Sequence, residues 1–109
     1  MELINFMPLI FVYVTNPNRK EAKKLAVHLI KKKLAACANI FPIDSVYPWK
    51  GKIAEEKEFV LVLKTENRNY AKIAREVESM HSYDIPCIIK IPIKANKKYG
   101  EWLESCLKQ

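Results

Sequence analysis

The chain has 109 residues, half of them apolar and 28% charged, which fits one soluble globular domain over residues 1–109 and excludes disorder. Its net charge of +7 comes mainly from lysine, since Arg19, Arg68 and Arg75 are the only arginines; dispersed lysine reads as a solubility surface, with an anionic partner as the competing interpretation. Cys37, Cys87 and Cys106 form no C-x-x-C pair, which excludes a zinc ribbon or disulfide framework and favours free thiols in a reducing cytoplasm.

The opening MELINFMPLIFVYVT is apolar, but Glu2 stands where a leader peptide wants positive charge, and the run is too short to span a bilayer. No membrane role is expected. Its second half, PLIFVYVT from Pro8 to Thr15, is a β-branched and aromatic strand ending at Asn16-Pro17. NRKEAKKLAVHLIKKKL follows with Ala22, Leu25, Ala26, Leu29 and Ile30 at helical spacing. Asn18 and Glu21 make a cap pair at its start. Lys31 to Lys33 close it, where cations suit the carbonyl end, and His28 lies off the apolar stripe, in solvent. ACANIFPIDSVYPW reads as a second strand; two prolines, Pro42 and Pro48, make it an edge, bent or bulged. Lys50-Gly51 is a turn, and a long third strand runs from about Lys52 to Lys64.

TENRNYAKIAREVESMH gives a second helix with Tyr70, Ile73, Ala74 and Val77 on one side, IPCIIKIPI a fourth strand, and KKYGEWLESCLK a short last helix. Tyr99, Trp102, Leu103 and Cys106 form that helix's stripe. The order βαββαβα, with right-handed crossovers, predicts an α+β, ferredoxin-like domain: a four-stranded antiparallel sheet with both long helices on one face, plus a C-terminal helix. The abundance of Lys, Glu and Ile with only two glycines also suggests heat adaptation.

One face of that sheet is left without cover. A half-wet strand alternates apolar and polar residues, yet Phe59 to Leu63, Leu9 to Val14, and most of Cys87 to Ile93 are apolar on both sides. Self-association has to hide the second face. The third strand, at ~3.3 Å per residue, is roughly 43 Å long, against a sphere about 34 Å across for a compact chain of this size. The hairpin must project, and Tyr47 and Trp49 near its tip, with Trp102 in the last helix, read as interface anchors.

KLAACANI, YPWKGKI, the spaced Glu58, LKT at Leu63 to Thr65, and HSYDIP at His81 to Pro86 together resemble the CutA family of divalent-cation tolerance proteins. The resemblance covers nearly the whole chain. It implies a non-enzymatic homotrimer, similar in shape to the PII signalling proteins, whose sheets join edge to edge around a threefold axis. It also implies a possible role for copper or another divalent metal, weakly held and not required as a cofactor. The family's motif carries over to His81, although Ser82 replaces its proline. Val14 stands at the end of the first strand, where some members have cysteine, and Met80 where a second histidine sometimes occurs.

Cys37 and His81 are the candidate metal ligands, since thiolate and imidazole favour copper; Cys87 and His28 complete the supply. Tyr47, Trp49, Lys52, Glu58, Lys64 and Tyr83 are the candidate lining of a cleft between subunits that holds a small anion. Glu55, Glu56 and Glu58 lie among lysines and read as cross-strand ion pairs rather than acid–base catalysts. The alternative from another class is an RNA-binding module, which shares the βαββαβ order. Its third strand needs glycine and aromatics for base stacking, whereas EFVLVLK has Phe59 alone. No regulatory protein partner is identified by any motif.

Overall fold

The computed structural model describes residues 8–108; the opening segment, Glu2 included, lies outside them. The elements are β1 (Leu9–Asn16), α1 (Arg19–Lys31), β2 (Cys37–Trp49), β3 (Lys52–Glu66), a single 3-10 turn (Asn67–Asn69), α2 (Tyr70–Met80), β4 (Ile88–Ile93) and α3 (Lys97–Leu107). The sheet is antiparallel throughout in the order β2-β3-β1-β4. This is the ferredoxin-like arrangement expected from the element order.

Register decides which side chains share a face. Val12 lies opposite Leu63, and Val14 opposite Leu61. These four, with Ile10, meet Ala22, Leu25, Ala26 and Leu29 of α1 and Ile73 and Val77 of α2 in one core. Full burial of aliphatic side chains of this kind contributes roughly 1.5–3 kcal/mol apiece.

The ends of α1 are closed at both termini. Asn18 Oδ1 accepts the Glu21 N–H at 2.8 Å, the expected N-cap. At the other end Lys33 takes a left-handed φ of 58°. Its N–H donates to the Ile30 carbonyl at 3.0 Å, and the Leu34 N–H to the Leu29 carbonyl at 3.0 Å. Those two bonds make a Schellman motif, with lysine where glycine is usual. The lysine triplet therefore ends the helix chiefly through backbone geometry; only Lys31 is helical, and the Lys32 ammonium lies 3.3 Å from Glu76.

β2 is an edge strand as expected, but it is not bulged. Its ladder with β3 runs unbroken from Cys37 opposite Lys64 to Trp49 opposite Lys52. The reason is spacing: Pro42 and Pro48 are an even number of residues apart, so both lack their N–H on the outer side, where no ladder bond is lost. Pro92 on β4, the other edge, obeys the same rule. Lys50 and Gly51 have φ of 49° and 77°, the two positive values of a type I′ turn. The molecule measures 54 × 25 × 21 Å, so the hairpin does project beyond the compact body.

The second face is only partly covered. Leu103 and Leu107 of α3 pack on Leu9, with Ile93, Ala36 and Tyr99 around them. Trp102 lies at the edge of this stripe and is 48% exposed, because steps of four residues, each slightly more than one turn, carry the contact from Tyr99 to Leu103 and Leu107 on the other side of it. Beyond α3, Phe41, Ile89 and Ile91 stay 42%, 48% and 40% exposed.

Candidate functional site

Glu58 pairs with Ile43 on the second face, and it is buried although no helix lies above it. The loop after α2 reaches over to it: the Tyr83 hydroxyl donates to Glu58 Oε2 at 2.6 Å. That loop is held by His81. The ring Nδ1 accepts the Tyr83 N–H at 3.1 Å, which leaves Nε2, 2.7 Å from the Thr15 carbonyl, as the donor. The His81 and Tyr83 rings lie 4.7 Å apart at 53°. Cys87 lies beside Thr15, and burial pushes its thiol up.

Burial, and then the Glu58 carboxylate, hold the Tyr83 phenol well above its ordinary range. Along the hairpin the Tyr47 hydroxyl donates to Glu56, one diagonal pair away on the same face, and that bond raises the Tyr47 phenol too. Both tyrosines are thus fixed as donors and both glutamates as acceptors. Such an arrangement binds and positions; phenols held protonated are poor bases and nucleophiles.

The expected ion pairing of the glutamates is therefore corrected. Glu56 and Glu58 take tyrosines, and the cross-strand ion pair that forms is Lys57 to Asp44 at 2.8 Å, on the opposite face. His28 is likewise not simply solvated: it is part-buried, and its Nε2 lies 2.6 Å from Glu76 Oε1, joining α1 to α2. The His28 and Lys32 bonds hold the Glu76 carboxyl below its usual range.

The six cleft candidates do not converge within one chain. Tyr47, Trp49, Lys52, Glu58 and Lys64 all point to the second face, but six residues, roughly 20 Å of strand, separate Lys52 from Glu58 and Glu58 from Lys64. Tyr83 alone meets Glu58. Trp49, 60% exposed, sits at the tip with the Lys50 ammonium 5.5 Å above its ring. Lys64 lies at the other end, 3.5 Å from the Tyr99 hydroxyl, whose ring is 5.4 Å from that of Trp102.

Nor do the two metal candidates meet. Cys37 lies opposite Lys64, while His81 bonds Thr15, which lies opposite Val60; four residues, roughly 13 Å, intervene. Both His81 nitrogens are already engaged. Among the described residues no group of three or more His, Cys, Asp or Glu is arranged to hold a metal ion. The described residues of one chain do not fit a resident metal centre. Phe59, the aromatic that an RNA-binding sheet would have to present, packs against the helix-side core with Arg19 4.8 Å over its ring.

Sequence reasoning missed Thr15 and Cys87 as partners in this site. Thr15 acts through its main-chain carbonyl, which leaves no trace in side-chain patterns, and Cys87, read as a free thiol or a metal ligand, gave no sign of lying beside it.

Comparison with known proteins agrees with this architecture. The family model described as CutA1 divalent ion tolerance protein matches residues 10–106. A divalent-cation tolerance protein CutA from Archaeoglobus fulgidus is 45% identical over 95 residues, covering 86% of this chain and 93% of that protein. The chloroplastic protein CutA 1 of Oryza sativa is 44% identical over 94% of this chain, which spans 59% of the rice protein. The crystal structure of divalent ion tolerance protein CutA1 from Ehrlichia chaffeensis superposes with a TM-score of 0.91 at 34% identity, over 95% of this chain and 99% of that one. The match runs from β1 through the His81–Tyr83 loop into α3, so that the chain as a whole belongs to the CutA1 divalent ion tolerance family.

Proposed function

We propose that the protein serves divalent-cation tolerance as a non-catalytic homotrimer, a PII-like regulatory module of the cytoplasm. Its ligand cleft forms where the Glu58–Tyr83 pair of one subunit meets the hairpin of the next. The carrying observation is the second sheet face: Phe41 on one edge strand and Ile89 and Ile91 on the other remain exposed on the face that carries the buried Glu58. A closed ring of subunits covers such a face and shields both edges. It also brings Trp49 and Lys52 of one hairpin toward a neighbour, which a single chain cannot do. The three free cysteines fit a reducing compartment.

Copper or another divalent ion enters this reading as a weakly held ligand. His81 would release Thr15 or Tyr83 to bind it, and Cys37 would have to come from another subunit. Light scattering tests the assembly. The expected particle is three times the 12.7 kDa chain, unchanged in mass by added copper, with calorimetry showing at most weak metal uptake. A folded 12.7 kDa species at micromolar concentration overturns the proposal.

A further inference from the structure

The lysines are spread along the chain, but the charge they leave uncompensated is not. Residues 19–33 and 68–79, which comprise α1, α2 and their ends, carry ten lysines and arginines against three glutamates, whereas the rest of the chain has nine of each sign. The whole net charge of +7 therefore lies on the helix layer. That layer is the side away from the face through which the subunits are proposed to assemble.

From this segregation we infer that the outer face of α1 and α2 is an electrostatic docking surface for an anionic phospholipid bilayer. Four features of the face favour that occupant. Lys20, Lys23, Lys24 and Lys31 are all exposed on α1. Val27 stands among them, three residues from Lys24 and four from Lys23 and Lys31, and is 50% exposed; Ile30 beside it is 39% exposed. Aliphatic side chains framed by lysine stems gain from an acyl boundary and nothing from a nucleic-acid backbone. Of the arginines, which nucleic-acid recognition prefers, Arg19 is stacked on Phe59 and Arg68 is bonded to Glu66. Between the helices, Lys32, Lys72 and Arg75 line a shallow depression with Leu34 and Glu76, of a size to seat a headgroup phosphate. No helix among the described residues is long and apolar enough to cross a membrane, so the contact is with the surface.

Vesicle co-sedimentation of the intact protein tests this. Vesicles of phosphatidylcholine with about one-third phosphatidylglycerol should retain the protein at about 50 mM salt, release it at about 500 mM, and pure phosphatidylcholine should not bind it. At roughly fivefold per lysine, the exposed triple change Lys20→Gln, Lys24→Gln, Lys31→Gln lowers partitioning by about two orders of magnitude. Val27→Ser, which leaves charge untouched, lowers it about threefold. Failure to bind the anionic vesicles at low salt overturns the inference, as does a triple variant that binds like the parent. Duplex DNA or RNA that binds more tightly than the vesicles at equal phosphate concentration, with Val27→Ser without effect, assigns the face to nucleic acid and overturns it as well.

Discussion

Tyr83 spends its only hydroxyl on a carboxylate that the strand has already taken out of water. Removing that donor leaves Glu58 buried and short of a partner, a loss of about 1–3 kcal/mol. Tyr83→Phe should therefore lower the unfolding free energy in urea by that amount, while Glu58→Gln, which still accepts the phenol, should cost less. Glu76 makes a different prediction, in pH. Its carboxyl is held below the ordinary value of 4.5 in the folded protein by His28 and Lys32. The stability it contributes is then complete above pH 4.5 and drains away as the pH falls through the lower, folded value. Denaturant midpoints taken from neutral to strongly acidic pH should show that acid limb in the parent and a flatter one in Glu76→Gln. Neither pair was legible in the sequence. Glu58 and Tyr83 are 25 residues apart and His28 and Glu76 are 48 apart. Each meets its partner only because a crossover lays one element over another.

At the scale of elements, α1 and α3 carry opposite irregularities. Lys33 adopts the left-handed conformation that costs a side-chain-bearing residue roughly 1–2 kcal/mol. Lys33→Gly should raise stability by about 1 kcal/mol in urea unfolding, since the Schellman bonds stay in place. Gly100 sits inside α3, where glycine costs about 1 kcal/mol against alanine. A Cβ there would meet only Leu9 Cδ1, at an ordinary 3.7 Å, so Gly100→Ala should stabilise by a similar amount. All four strands and all three helices were legible from periodicity and breakers, because each is long enough to show its period. What was not legible is local: the unbroken ladder through two prolines, and the α3 stripe, where Tyr99, Trp102, Leu103, Cys106 and Leu107 make an arc wide enough that tertiary contact decides which edge of it is buried.

At the scale of the whole molecule, Phe41, Ile89 and Ile91 stay exposed on the sheet face whose strands are apolar on both sides. Trp49 is the place to test self-association, since an anchor buried only in an assembly can carry 2 kcal/mol or more. Trp49→Ala should leave secondary structure intact and shift the association equilibrium toward smaller species, seen by sedimentation velocity on dilution. An unchanged profile would remove Trp49 from the interface. Tyr47, Trp49, Lys52, Glu58 and Lys64 share one face, as alternation along β2 and β3 requires; their separation into three stations was not legible, because distance along a strand matters only once the neighbour is known.

The prolines of the edge strands have one more effect. Pro42 and Pro48 strike two donors from the outer rim of β2, and Pro92 strikes one from β4. An intruding strand that zips along either rim meets a missing rung within a few residues. Endless fibrous stacking stalls there.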